Sequence, residues 1–269
     1  MSAAFVGLRY ISAAALLLLA LSARGQADEL SIVGTGDGIE MLQAVATAYK
    51  SEPGEAHVSV PPSIGSGGAV AAVGGERQKL GRIARPLSES EKAQGLVEIP
   101  LTRIPSVIFV HRGLGVARLT SAQVAAIFSG TIENWNALGG PDLKVRVVRR
   151  EDTDSTLAVL RSSMPGWRDL VLTSRSKTAT TTQDAVETVR LTPGAIGFGP
   201  FSPTLKNDLE IVSIDGHAPS DSDYPSAVTL SLIYKTSTRD AASSAFLAFA
   251  TSDRAGRLMV ERGGGPLKP

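Results

Sequence analysis

Three times along this chain a short apolar strand runs into a turn of glycine or hydroxyl residues and then into a helical pattern, and that order constrains the fold more than any other feature. Leu30 to Gly34 reads as the first strand, Gly34-Thr35-Gly36-Asp37-Gly38 as its turn, and Ile39, Leu42, Val45, Ala46 and Tyr49 as one apolar helix face. Val58 to Val60 is followed by Pro61-Pro62-Ser63-Ile64 and Gly65-Ser66-Gly67-Gly68, after which Ala69 to Val73 turns helical. The third case is KVRVVRREDTDSTLAVLR, Lys144 to Arg161: Val145 to Val148 is a β-branched run, and Leu157, Val159 and Leu160 begin a helix. Strands alternating with helices throughout imply an α/β fold with largely parallel sheets.

Such turns suit a small negative ligand. Glycine lets a ligand approach the backbone because no Cβ intervenes. The first N–H groups of a helix have no partner within it, and the helix dipole adds partial positive charge there. In the third turn Arg149 and Arg150 end the strand while Thr153, Ser155 and Thr156 supply hydroxyls, which places a guanidinium beside a helix start. The same residues also fit an ordinary strand-to-helix turn with Thr or Ser as N-cap and solvated arginines. Neither glycine turn is a Walker loop, because no Lys-Ser/Thr pair follows, and Gly65-x-Gly67 lacks the spaced third glycine of a dinucleotide site.

The first residues are expected to lie outside the fold. Met1 to Tyr10 carries Arg9 and no acid, Ile11 to Leu21 is a short apolar run, and Gly25-Gln26-Ala27 offers small residues before a cut, so residues 1–27 read as a secretory signal peptide. About eleven apolar residues fall short of the roughly 20 that span a bilayer. Cleavage after Ala27 removes Arg9 and Arg24 and leaves 25 basic against 26 acidic residues. That balance gives no general attraction to nucleic acid or anionic membranes, so any anion recognition is local. The chain has no cysteine, which excludes disulfides, thiolate metal sites, cysteine nucleophiles and a lipid-modified cysteine together. An export signal without that anchor points to the periplasm, and no cofactor is expected.

Further elements follow the same alternation. Leu80 to Ala84 is expected as a strand bracketed by Arg82 and Arg85, with Arg85 facing either a ligand or, as the spacing alone favours, solvent, and Ser88-Glu89-Ser90-Glu91 opens a short helix. Val97 to Pro100 and Val107 to Val110 read as two strands. Thr120 and Gln123 form a capping box for a helix from Ser121 to Ser129 that ends at Gly130, and Trp135 reads as a packing residue under a turn. Thr182 caps a helix from Gln183 to Leu191, Gly194 to Phe198 is a short buried strand, and Asn207 to Thr229 is weakly determined. Val228 to Tyr234 is a strand, with closing helices at Ala242 to Ala250 and Asp253 to Glu261.

Taken in order, these pieces resemble the periplasmic phosphate-binding proteins of ABC transporters, with the type 2 periplasmic binding-protein fold. The resemblance runs through Gly34-Thr35-Gly36, Gly65-Ser66-Gly67-Gly68, Ala84-Arg85-Pro86-Leu87 before Glu91, Phe128-Ser129-Gly130 with Asn134-Trp135-Asn136, Arg150 to Thr156, Thr192 to Phe198, and Tyr224-Pro225. It implies two α/β lobes, 28–107 with 229–269 and 108–228, joined by crossover strands at Pro105 to Val110 and Val228 to Tyr234. Helix starts at Gly38, Gly67 and Ser155 would face one cleft. Carried over position by position, it assigns ligand contacts to Thr35, to the backbone of Gly38 and Ile39, to Ser66 and Gly67, to Arg85 and Arg150, and to Asp154, Ser155 and Thr156. Two positions depart from the family pattern: Thr153-Asp154-Ser155 stands where phosphate binders have Gly-Ser-Gly, and Ala84 stands where some carry an acceptor aspartate.

The function implied is capture of a small oxyanion, phosphate first, by a monomeric periplasmic protein that closes on it and hands it to an ABC permease, without chemistry. A sensor or scavenger of the same fold that binds another inorganic or organic anion is the alternative. A hydrolase using Ser66 or Ser155 needs an imidazole base, and His57, His111 and His217 are the three available; the expected topology sets none of them beside either serine.

Overall fold

The computed structural model describes residues 29–50, 56–221 and 223–267. The expected signal peptide, 1–27, lies outside the described residues. Strand β1, Leu30–Gly34, pairs in parallel with β2, Val58–Ser59, and with β3, Leu80–Ile83. Between them run helix α1, Ile39–Lys50, and helix α2, Gly65–Gly74, followed after β3 by the short α3, Glu89–Ala93, which Ser88 starts with a full capping box. Helix α2 begins four residues before the apolar pattern does, running through its glycines despite their poor helix propensity. Gly34 has φ +145°, and a Cβ there would fall 2.0 Å from the Arg82 carbonyl oxygen, so only glycine lets β1 lie this close to β3.

The two strands expected around residues 97–100 and 107–110 are one. Strand β4, Leu96–His111, runs 16 residues without interruption and carries both lobes. Its first part pairs antiparallel with β10, Ala227–Lys235, which also pairs with β3; its second part pairs with β8, Ala195–Pro200, and β9, Leu209–Ile214. Proline would be expected to break it, but Pro100 sits at the register shift opposite Ser231, and Pro105 is the last residue paired to β10 before Ser106 pairs to β8. A missing N–H costs little at a bulge or a change of partner. The crossover on the return chain falls beside the same point, where the Ser106 N–H donates to the Ser226 carbonyl at 2.9 Å. The change of lobe is therefore narrower than the segments expected from sequence, since Ile108 to Val110 lie within the second sheet and Val228 to Tyr234 within the first.

In the second lobe β5, Arg118–Leu119, pairs with β9, and α4, Ser121–Ser129, has the Thr120–Gln123 capping box and the left-handed Gly130 read from sequence. Strand β6, Arg146–Arg150, lies parallel to β8 and to β7, Ser176–Ala179, with α5, Ser155–Ser163, and α6, Thr182–Leu191, following β6 and β7. The α6 cap is Thr181, one residue before the expected Thr182, and β9 lies in the stretch left undetermined. Helices α7, Ala241–Ala250, and α8, Asp253–Glu261, return to the first lobe.

Two apolar cores result. One surrounds β1, α1 and β10, where Tyr49 meets Phe246 edge-on at 5.2 Å. The other holds Phe128, Trp167 and Phe198 in mutual contact, with Trp135 fully buried and its indole N–H on the Gly194 carbonyl at 2.8 Å. Burial of this apolar surface drives each lobe to form, and the ends of β1, β3 and β6 then meet between the lobes.

Candidate functional site

A cavity of about 340 Å³ opens between the lobes. The first lobe supplies Thr35 and Gly36 after β1 and Ser63 to Gly68 at the start of α2; the second supplies Arg150, Glu151, Thr153, Asp154 and Ser155 between β6 and α5, and Thr180 and Thr181 after β7. The α2 start has no side-chain cap from Ile64, and Ser66 and Gly67 of its first turn, where amides lack intrahelical partners, line the cavity. Helix α5 opens there too, at Ser155.

Arg150 ends β6 and is 7% exposed. Its Nη2 donates to Asp154 Oδ2 at 2.7 Å and to the Thr180 carbonyl at 3.4 Å, whereas its Nε and Nη1 are buried without a hydrogen-bond partner. Buried polar groups are almost always satisfied, so two unpaired guanidinium donors beside a polar cavity suit this wall to recognising a hydrogen-bond acceptor. Neighbouring Arg149 is turned away onto Asp152, as strand alternation requires.

Asp154, not a Thr or Ser, is the N-cap of α5: its Oδ1 accepts the Leu157 N–H at 3.0 Å while its Oδ2 takes Arg150. One carboxylate thus fixes both the helix start and the guanidinium. Ser155 donates to Ser66 Oγ at 2.8 Å, and Ser66 Oγ also accepts the Ala84 N–H at 3.1 Å. Thr156 turns away from the cavity, toward Asp37, at 3.4 Å.

The structure brings together Thr35, Ser66, Gly67, Arg150, Asp154 and Ser155 around this cavity, with Thr156 behind it. Gly38, Ile39 and Arg85 are not among its lining residues. Gly38 and Ile39 line a larger cavity of about 520 Å³ on the other side of Gly36, between α1 and α6; it has a more apolar wall, and none of its described lining residues holds a buried side-chain donor left unpaired, so the smaller cavity is the better anion site. Arg85 forms a two-pronged pair with Glu91 at 2.7 and 2.8 Å and holds that carboxyl down to about 2. Its charge is spent there, in the turn before α3.

Two site residues escaped sequence reasoning. Asp37 is 1% exposed, and burial, with the charge of Asp154, pushes its carboxyl up to about 7, against the opposing pull of Arg150 and the Thr35 and Thr156 hydroxyls. Arg82 is fully buried: its Nε donates to the Thr35 carbonyl at 2.6 Å, its Nη2 to the Pro61 carbonyl at 2.7 Å, and its Nη1 to the Ile32 carbonyl. Burial lowers it to about 10, with Asp37 acting the other way. It ties β1 to the turn before α2 and so sets the first-lobe wall. The available signals were an acid between two glycines at a strand end and a lone cation inside an apolar strand.

A two-lobed α/β protein with an arginine-centred polar cleft between its lobes has the architecture of a solute-binding protein. The chain belongs to the PBP superfamily, whose domain matches residues 22–254. It is 28% identical over 207 residues to the phosphate-binding protein PstS of Bacillus subtilis, covering 74% of this chain and 66% of that protein, just under two thirds of its length. It is 23% identical over 219 residues to PstS of Borreliella burgdorferi, 73% of this chain and 76% of the relative. Among solved structures, one from Clostridium perfringens determined with bound phosphate superposes with a TM-score of 0.82 at 24% identity, over 90% of this chain and 100% of the other. A Vibrio cholerae phosphate transport receptor gives 0.65 at 23%, over 88% and 99%. At these identities the structures establish the fold.

Proposed function

We propose that this protein is an extracytoplasmic solute-binding protein that captures a small oxyanion, phosphate first, between its lobes and delivers it to an ABC permease. Export by residues 1–27, a periplasmic location, a monomeric state and the absence of catalysis belong to this reading. The observation that carries it is Arg150, with Nε and Nη1 buried and unpaired at the cavity where α2 and α5 begin. The names of the relatives support phosphate as the first candidate. Stripping water from a small oxyanion costs far more than one charge-assisted hydrogen bond returns, roughly 1.5–3 kcal/mol, so the helix starts and hydroxyls must act together with the arginine. Against a hydrolase, His57 faces Glu29, His111 contacts the Val189 carbonyl and His217 bridges Ile214, away from Ser66 and Ser155.

One observation favours keeping a second ligand class in view. Asp154 places a carboxylate against Arg150, which favours an anion that brings a hydrogen-bond donor, whether protonated phosphate or an organic acid. Thermal unfolding with phosphate, sulfate, molybdate and a panel of organic acids tests both. A ligand of the folded state at a hundredfold excess over its Kd adds about 2.7 kcal/mol, and closure should shrink the radius of gyration with it. If an organic anion stabilises the protein and no oxyanion does, the phosphate assignment is wrong.

A further inference from the structure

Asp37 lies behind the wall of the anion cleft, where it meets Thr156 and does not face the ligand space. It does not line the cavity, and its carboxyl meets the hydroxyls of Thr35 and Thr156. Charged groups face it from three elements: Arg82 from β3, Arg150 from the end of β6 and Asp154 from the start of α5. Leu230 and Ile104 pack against Gly38 and Thr182 and Gln183 against Gly36, while Glu40, Glu187, Asp208 and Arg262 line the larger cavity on the other side of this loop. Arg150 is bonded to Asp154, and Arg82 to backbone carbonyls.

Two arginines and two aspartates, of which only Asp154 is partly exposed at the cavity wall, therefore form a set that is electrically neutral when both carboxyls are ionised. An oxyanion added to it leaves one or two negative charges uncompensated away from water, and buried groups relieve such a charge by changing protonation. Asp154 is held by its direct pair with Arg150 and by the Leu157 N–H, so Asp37 is the carboxyl left to be neutralised. Burial and the charge of Asp154 push its carboxyl up to about 7, and an anion nearby raises it further.

We propose that Asp37 is a proton-binding position coupled to the anion cleft: an oxyanion enters together with one proton, which comes to rest on the Asp37 carboxyl. This deepens the oxyanion reading and rests on it. The proton is taken from solvent or released by the anion, and it leaves again when the anion does. Asp37 acts through the charge of the site rather than by touching the ligand.

Calorimetric titration of the wild-type protein with sodium sulfate near pH 8, in buffers of different ionisation enthalpy, reads the coupling directly, because sulfate carries no proton of its own. Inorganic phosphate, mainly the dianion near pH 8, is run beside it, and where phosphate alone binds, its proton uptake in wild type and in Asp37→Asn decides by the same criteria. The expected result is uptake approaching one proton per anion, an affinity that falls up to tenfold per pH unit above about 7, and loss of both effects in Asp37→Asn. Binding without proton uptake in the wild type overturns the coupling and leaves the anion reading intact, whether or not the variant folds. Uptake that persists in Asp37→Asn overturns the assignment to this residue. Failure of both anions to bind the wild type removes the anion reading and the coupling with it.

Discussion

The Ser155 hydroxyl donates a 2.8 Å hydrogen bond to Ser66 Oγ, joining the start of α5 in one lobe to the start of α2 in the other. Because Ser66 Oγ also accepts the Ala84 N–H, its own proton is the one left to donate into the cavity. A single hydroxyl thus closes the cleft, anchors the end of β3 and presents a donor to a ligand.

Ser66→Ala should cost stability as well as affinity. It leaves the buried Ala84 N–H without its partner, worth about 1–3 kcal/mol, whereas Ser155→Ala leaves that bond in place. Urea unfolding of the two variants should show the larger loss for Ser66→Ala; equal losses would contradict the anchoring role.

Arg150→Ala should weaken anion binding by about 2–5 kcal/mol, the cost of removing one partner from a desolvated charge contact. Arg149→Ala should change affinity little, since Arg149 is turned onto Asp152. Titration calorimetry of both variants with phosphate checks this, and matching losses would mean that the register of β6 is wrong.

Asp37 should make stability fall as pH rises from about 4 to 7. The folded carboxyl keeps its proton up to about 7, while an unfolded aspartate loses it near 3.8, so between these values the folded chain binds more protons. The stabilisation is complete below the lower value and is lost as pH rises through the upper one. Asp37→Asn should therefore gain stability relative to wild type across that window, with each pH unit worth at most about 1.4 kcal/mol. Glu91 and Asp240, whose carboxyls are held low by Arg85 and Lys79, oppose the trend by losing stability in acid, but they are common to both proteins. Denaturation at a series of pH values reads the difference, and a constant gap would rule out the buried titration.

Gly36→Val should hold the lobes apart. A Cβ at Gly36 would lie 2.6 Å from Thr182 Oγ1 in the facing lobe, so a branched side chain cannot be accommodated without separation. Small-angle scattering should show a larger radius of gyration and calorimetry a weaker anion affinity, with little change in unfolding free energy. An unchanged radius would mean that Thr182 simply rotates away.

Arg82→Met should destabilise the first lobe by about 3–5 kcal/mol, the range for removing one member of a buried charged network, because the carbonyls of Ile32, Thr35 and Pro61 lose their donor. Chemical denaturation checks this, and a neutral result would mean that water replaces the guanidinium.

Local patterns carried much of the architecture. The apolar period of α1, the Thr120–Gln123 box with Gly130, and the β-branched runs at β1, β6 and β10 could be read residue by residue, because a helix cap or a strand face depends on neighbours a few positions away. The β-branched strand ending in Arg150 and the hydroxyl-rich helix start after it were legible for the same reason. What tertiary structure alone decided were relationships between distant positions. Whether Arg85 meets a ligand or Glu91 depends on where α3 packs, and whether the two segments of β4 are one strand depends on the partners waiting on either side of Pro105. Thr156 and Asp37 lie 119 positions apart, yet they share one buried cluster. The charge state of that cluster follows from burial and from the sum of fields from both lobes, quantities that no single segment of the chain contains.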